Sequence, residues 1–182
     1  MYLNGNYYDF LDREAYRILY DYGMFSFPLN VYELARKLNA EICFISKKQI
    51  VELESAGVAE KLNDGCVVKQ GYRYTLFLNE GNSEARTRFT IAHEIAHIVL
   101  GDEENDLITE SAADHFARIL LVPPILLVEQ GRISYNEIER QFAVSSSVAQ
   151  RVWKIARNRE ESYGDKVFDY ERDFYNEYKK RR

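Results

Sequence analysis

The sequence contains little of what marks a secreted or membrane-bound protein. Its two cysteines, Cys43 and Cys66, stand alone among 182 residues and form no CxxC pair. Isolated cysteines like these are typical of reduced thiols in the cytosol rather than of a disulfide framework. The amino-terminal stretch lacks the basic segment followed by an apolar one that a secretory signal requires, and no apolar run approaches the roughly 18 residues of a membrane span. We therefore expect a cytoplasmic protein that does not contact a membrane.

The chain also lacks an excess of positive charge, which restricts its classes of partner. The formal net charge is -5 and the pI is about 5.4, whereas a domain built mainly to hold nucleic acid is usually basic. The hydrophobic share of 46% is enough for the core of one domain without disulfide support. Charged residues make up 29% of the chain and are spread along it, which argues against disorder.

Apolar spacing predicts a small sheet early in the chain, followed by a run of helices. The early half combines helical patterns with short strands, at 41–46, 66–69 and 73–79. The later half predicts two long helices and three shorter ones, at 83–100, 108–121, 124–130, 134–142 and 145–157. This order is typical of an α+β fold.

Histidine is scarce as well, and its placement is informative. The chain has three histidines, and two of them stand four residues apart in RFTIAHEIAHIVLGD. On a helix, His93 and His97 lie side by side and can bind one zinc ion. From one step around the helix, the Glu94 carboxylate can reach a metal-bound water and take its proton. The alternative, two histidines in an ordinary core helix, is costly because buried polar groups need a metal or a partner.

A catalytic zinc site needs a third protein ligand and an open position for water. Glu110 and Asp114 are also four residues apart, on the next predicted helix. Glu110 is the candidate third ligand, while Asp114 could hydrogen-bond the free nitrogen of a ligand histidine and fix its tautomer. From the residues alone, an ordinary acidic helix start explains both side chains equally well.

Four further side chains are candidates for substrate binding. Arg86 and Thr90 lie on the same helical stripe as the two histidines and could bind a substrate carboxylate or carbonyl, although capping and surface packing is the favoured interpretation. The strand at 73–79 precedes the HExxH helix, and in zincins generally the edge strand above this helix pairs with the substrate backbone. We therefore expect 73–79 to be that edge strand, with Thr75 and Phe77 among its substrate contacts.

The segment 134–155 resembles a helix-turn-helix. Ser134 with Glu137 is typical of a capping box, and one apolar face is shared by Ile138, Phe142, Val148, Val152 and Ile155. A DNA-reading helix would expose Ser146, Ser147, Gln150, Arg151 and Lys154. The favoured alternative is a helical pair that packs on the rest of the domain or docks a partner, because the chain is acidic and has no basic stripe.

Two segments carry a family resemblance. RTRFTIAHEIAHIVLGD (86–102) and ESAADHFARILLVP (110–123) together resemble the ImmA/IrrE family of metallopeptidases, and the similarity covers roughly residues 25–155. The resemblance implies a zincin-like, gluzincin-type core with one Zn²⁺ per chain and Glu110 as the third ligand. Ala112 departs from the family, whose members often have a second acidic residue there. Characterised relatives cleave or inactivate helix-turn-helix repressors of phages, mobile elements or stress responses, which implies such a repressor as the protein substrate.

These observations lead to one leading hypothesis and one competitor. We expect an α+β, zincin-like metallopeptidase domain over 1–157, with a charged, tyrosine-rich helix or tail over 158–182. The leading hypothesis is a zinc endopeptidase, with Glu94 as the catalytic base, that acts on a transcriptional repressor. The competing hypothesis is a regulatory binding module that grips a repressor or DNA around a structural zinc. An intact Glu94 favours the enzyme.

Overall fold

The computed structural model describes residues 5–57, 64–101, 107–131 and 133–182. Asp102, the last residue of the HExxH segment, lies outside these ranges. The described elements, in chain order, are α1 (Gly5–Asp21), α2 (Val31–Lys37), β1 (Ala40–Ile45), α3 (Lys47–Ser55), β2 (Gly65–Gln70), β3 (Arg73–Asn79), α4 (Glu84–Leu100), α5 (Leu107–Leu121), α6 (Pro124–Gln130), α7 (Tyr135–Phe142), α8 (Ser146–Tyr163) and α9 (Arg172–Lys180). The predicted α+β fold is confirmed.

Capping residues set the bounds of the helix that carries the HExxH motif. The Ser83 hydroxyl accepts a hydrogen bond from the Arg86 N–H and satisfies one of the unpaired donors at the start of α4. Gly101 ends α4 in the left-handed conformation, with φ of 70°, which glycine adopts without steric cost. The two ends agree with the predicted helix at 83–100, so the motif lies within a regular helix.

The sheet has the strand order β1-β3-β2, with β1 parallel to β3 and β2 antiparallel to it. A two-residue turn at Gly71 and Tyr72 folds β3 back along β2, and β1 then adds to the other side of β3. The prediction that 73–79 forms an edge strand is therefore wrong, since β3 is hydrogen-bonded on both sides. Within the described residues the edges of this sheet are β1 and β2.

The core lies between the sheet and the helices, with α4 at its centre. Leu76 and Leu78 of β3 are fully buried on the same side as Ile91 and Ile95 of α4. On its other side α4 packs along α5, and α5 in turn packs on α1. This arrangement buries the apolar residues that surround the HExxH motif and fixes α4 and α5 side by side.

The carboxy-terminal helices join the same core. α7 and α8 bury four residues of the apolar face predicted from the sequence and half-bury the fifth, Ile155. The five polar residues at positions 146, 147, 150, 151 and 154 are exposed. α8 continues past residue 157, and α9 packs against α1, where Phe174 contacts Tyr16 with ring centroids 5.4 Å apart. Residues after 157 thus contribute an aromatic side chain to the main hydrophobic cluster.

In the parts of the chain that the structure describes, no single helix is long and apolar enough to cross a bilayer. Only a bent pair, Glu110–Leu121 with Pro124–Gln130, has that length and composition, and its two halves meet at 42°.

Candidate metal centre

Three side chains from α4 and α5 converge on one point. The Nε2 atoms of His93 and His97 lie 3.1 Å apart. The Glu110 carboxylate places Oε2 3.2 Å from His93 Nε2 and Oε1 3.4 Å from His97 Nε2. All three ligand atoms are within 4.8 Å of one another. The helical spacing of four residues aligns the two imidazoles, and the packing of α5 on α4 brings the carboxylate to them.

The donor set fits a divalent transition metal. Two imidazole nitrogens and one carboxylate form a three-ligand set that zinc uses in catalytic sites, with a fourth position left for water. His93 and His97 are mostly shielded from solvent, whereas Glu110 is about half exposed. The three side chains therefore meet at the boundary between the buried core and the surface.

Asp114 holds the outer nitrogen of the first histidine. Its Oδ1 lies 3.2 Å from His93 Nδ1, and its Oδ2 accepts a 2.5 Å hydrogen bond from Arg118. Partial burial opposes ionisation of Asp114, but the bonds from His93 and Arg118 hold its pKa below the usual value. Burial likewise opposes protonation of His93, yet the bond to Asp114 and the nearby carboxylates raise its pKa. The predicted placement of Asp114 behind a ligand histidine agrees with this geometry.

Glu94 lies beside the three ligands and beneath strand β2. Only 6% of the residue is exposed. Burial raises the pKa of its carboxyl to about 7, the Glu110 charge adds to the rise, and the His93 charge and a hydrogen bond from the Val67 N–H oppose it. A carboxylate with a pKa near neutrality can both accept and return a proton under ordinary conditions. Its position next to the ligand set fits the role predicted from the motif.

Arg86 and Thr90 lie where α4 meets the start of β2. The Arg86 guanidinium bonds both oxygens of Asp64, at 2.6 and 2.5 Å. The Thr90 hydroxyl donates to the Arg86 carbonyl oxygen at 3.0 Å, and its methyl group lies under Gly65. A Cβ on Gly65 would be 2.7 Å from that methyl carbon, so only glycine allows this close approach. These contacts agree with the capping and packing interpretation of the two side chains.

Thr75 and Phe77 occupy the central strand, so the structure does not bring them to a sheet edge. Phe77 packs in a small cluster with Ile45 and Ile50, on the sheet face opposite to Leu76 and Leu78. We expected a substrate strand to pair with the backbone of Thr75 and Phe77. That expectation is wrong, because the backbone of β3 already pairs with β1 and β2. Among the described strands, the sheet edge beside Glu94 is that of β2.

Sequence reasoning missed two residues of the site, Arg118 and Phe89. Arg118 lies one helical turn after Asp114 and binds it. Phe89 lies one turn before His93, with ring centroids 6.3 Å apart, and the Arg118 guanidinium stands 5.8 Å from the Phe89 ring centre. The spacing of four residues was a usable signal in both cases, but only the packing of α4 on α5 shows that the two pairs meet.

The third histidine lies outside the ligand set. His115 Nε2 is 2.7 Å from Asp12 Oδ1 on α1, and the Tyr8 ring stands edge-on to the imidazole at 4.6 Å. These contacts tie α5 to α1. They give His115 a structural role.

A known protein family matches the part of the chain that carries this motif and fold. The model of the IrrE N-terminal-like domain, a peptidase family, matches residues 36–154, about two-thirds of the chain. Among curated proteins, none matches the chain significantly. The matched region contains the three described strands, the HExxH helix and the helix that carries Glu110. The chain therefore belongs to the ImmA/IrrE family of metallopeptidases.

Proposed function

We propose that the chain is a zinc-dependent endopeptidase that hydrolyses a peptide bond in a protein substrate. The observation that carries this proposal is the convergence of His93, His97 and Glu110 within 4.8 Å, on the helix pair that also presents Glu94. Structural zinc sites are usually closed by four protein ligands, whereas three ligands and an open position are typical of catalysis. The same donors accept manganese, cobalt or iron, so the choice of zinc is part of the proposal.

Glu94 has the central chemical task in this mechanism. When bound, zinc supplies Lewis acidity to the substrate carbonyl and to the attacking water. Glu94 takes a proton from that water and later delivers it to the leaving amine. Burial and the Val67 N–H fix its carboxylate beside the ligand set, and a pKa of about 7 suits both transfers.

The outer edge of β2 supplies the binding surface for an extended peptide. Asn79 N–H donates to the Asp64 carbonyl, so in this antiparallel ladder the backbone groups of Gly65, Val67 and Lys69 point away from β3. The bond from the Val67 N–H to Glu94 places this edge beside the catalytic carboxylate, so a peptide would pair with Gly65, Lys69 and the Val67 carbonyl. A peptide that adds to β2 by main-chain hydrogen bonds would therefore pass over the site.

For the substrate we propose a helix-turn-helix transcriptional repressor, cleaved in the cytoplasm, so that the protein regulates transcription. This choice rests on the resemblance to relatives that act on such repressors. The exposed polar side chains of α8 favour a second candidate, a binding module that holds a repressor or DNA through 134–155. In that case the metal would be structural and Glu94 would be dispensable.

The first experiment measures the metal content of purified protein after incubation with zinc. Wild type should retain about one zinc per chain, and His97→Ala should lose it, because two remaining ligands bind weakly. His115→Ala is the matched control, since it removes a half-buried histidine of the same helix bundle and should keep the metal. A wild-type protein that takes up no zinc would overturn the metal centre.

The second experiment separates catalysis from binding. Glu94→Gln should retain zinc and lose cleavage of a repressor encoded beside the protein by several orders of magnitude, because the general base is lost and the water is misplaced. Near wild-type cleavage by Glu94→Gln would contradict the assigned base. Full regulatory activity of Glu94→Gln, together with loss in His97→Ala, would instead establish the binding module.

A further inference from the structure

Two pairs of side chains face each other where α4 packs on α5. Phe89 and His93 are one turn apart on α4, and Asp114 and Arg118 are one turn apart on α5. Their contacts close a ring: His93 Nδ1 to Asp114 Oδ1 at 3.2 Å, Asp114 Oδ2 to Arg118 at 2.5 Å, Arg118 over the Phe89 ring at 5.8 Å, and Phe89 to His93 at 6.3 Å. Only His93 in this ring is a candidate metal ligand.

The Asp114 carboxylate bridges His93 and Arg118, with one oxygen to each residue. Oδ1 faces the imidazole, and Oδ2 accepts from the guanidinium. A carboxylate on a partly exposed side chain rotates freely unless one oxygen is anchored, and Asp114 is 39% exposed. Arg118 is only 15% exposed and is held against the Phe89 ring. The more rigid partner in this bridge is therefore the arginine.

The tautomer of His93 depends on this bridge. A neutral imidazole has one N–H donor and one acceptor nitrogen. When Nδ1 donates to a carboxylate, the Nε2 lone pair is free for a metal. His93 Nε2 points at His97 and Glu110, so the site requires this tautomer.

We propose that Arg118 is a positioning residue of the metal centre, which it serves by anchoring Asp114 Oδ2 so that Oδ1 holds the Nδ1–H tautomer of His93. This inference rests on the metal site of the proposed function and adds a residue to it. The guanidinium suits the task because its planar fork can bind the carboxylate while its face stacks on an aromatic ring. Arg118 touches neither the metal ligands' donor atoms nor the substrate edge.

Packing alone explains Arg118 less well. Its Nε is buried with no hydrogen-bond partner in the described part of the chain, and an unsatisfied buried donor is costly. Arg157 on α8 offers a matched comparison, because it too binds a carboxylate of its own helix, that of Glu160, and lies against an aromatic ring, Trp153, at 5.6 Å. Arg157 contacts none of the three metal-site residues, so its loss reports the effect of removing such an arginine elsewhere.

The test measures zinc affinity of the full chain by competition with a chromogenic chelator. Arg118→Met should weaken zinc binding by up to about tenfold, because loss of the direct hydrogen-bond partner of a ligand histidine usually costs about tenfold or more and Arg118 acts through that partner. Arg118→Lys should lose less, since it keeps the charge but not the fork. Arg157→Met should bind zinc as wild type does. In an Asp114→Asn background, Arg118→Met should cause no further loss, because the arginine acts through that carboxylate.

A second readout follows the tautomer directly, by nitrogen chemical shifts of the His93 ring in metal-depleted protein at a pH high enough to keep this imidazole neutral. Wild type should show the Nδ1–H form, and Arg118→Met a mixture of forms. Unchanged affinity with an unchanged tautomer in Arg118→Met would overturn the proposal. If Arg118→Met does not fold, wild-type affinity in Arg118→Lys would overturn it equally. If the wild-type protein binds no zinc, the metal site of the proposed function is refuted. That result differs from one in which wild type binds zinc and only the role of Arg118 is refuted.

Discussion

Replacing Glu94 by glutamine should stabilise the metal-depleted protein while it abolishes catalysis. The carboxyl is 6% exposed, and burial raises its pKa from 4.5 to about 7. The folded chain therefore holds this proton more tightly than the unfolded chain does. The resulting penalty is small below pH 4.5, grows as the pH rises from there to 7, and is constant above that.

The size of the effect follows from the two pKa values. Each pK unit corresponds to about 1.4 kcal/mol, so above pH 7 the ionised Glu94 costs about 3 kcal/mol of folding free energy. Glutamine has no charge to bury, and its carbonyl oxygen can still accept the Val67 N–H. We expect Glu94→Gln to be about 2–3 kcal/mol more stable than wild type at pH 8, and at most about 1 kcal/mol more stable at pH 5.

Urea unfolding of chelator-treated protein at the two pH values measures this difference. Glu161→Gln, at an exposed position of α8, is the control for the loss of one negative charge and should change stability little at either pH. The reasoning is refuted if Glu94→Gln is no more stable than wild type at pH 8. It is refuted as well if the gain is equal at both pH values, because a pH-independent gain cannot come from ionisation.

Three further predictions concern the binding edge, the close contact at Gly65 and a buried ion pair of α8. Lys69→Pro removes an outward N–H of β2 and should reduce the rate of peptide cleavage at least about tenfold while zinc is retained. Lys69→Ala keeps that N–H and should cleave at the wild-type rate. Equal cleavage rates in the two variants would exclude β2 as the peptide-binding edge. Gly65→Ala places a Cβ 2.8 Å from a backbone oxygen of β3 and should lower the free energy of unfolding by about 1–3 kcal/mol, measured with urea. An unchanged urea midpoint would contradict the close approach. Glu171→Ala leaves the 9%-exposed Arg159 side chain without its fully buried carboxylate and should destabilise by about 3–5 kcal/mol in the same assay. The exposed ion pair of Glu177 with Lys180 provides the control, because Glu177→Ala should change the free energy of unfolding little. Equal losses of stability in the two variants would rule out burial as the cause.

Local signals were enough to predict the elements and the core of the site. The Ser83 cap and the Gly101 stop define α4 from short-range hydrogen bonding and backbone sterics alone. Within that helix the spacing of His93 and His97 decides that their imidazoles meet, whatever surrounds them. The identity and order of these residues also carried the family resemblance that the domain match confirms.

The sequence pattern did not predict which strands pair with each other. The alternation at 73–79 predicts a strand with one buried face, but it does not show how many neighbours that strand has. The paired residues of β1 and β3 are 34 positions apart in the chain, and this long-range contact makes β3 the central strand, with β2 at one edge. The error over Thr75 and Phe77 follows directly from that missing information.

The sequence by itself determined which residues lie on one helix face, because helical geometry repeats within a few residues and needs no distant partner. Only the tertiary structure decided which faces meet. The packing of α5 on α4 brings Glu110 to His93 and His97, and it brings Arg118 to Asp114 and Phe89. The same packing, with β2 laid over α4, buries Glu94 and raises its pKa, since desolvation depends on every element around a carboxylate and not on its neighbours in the chain.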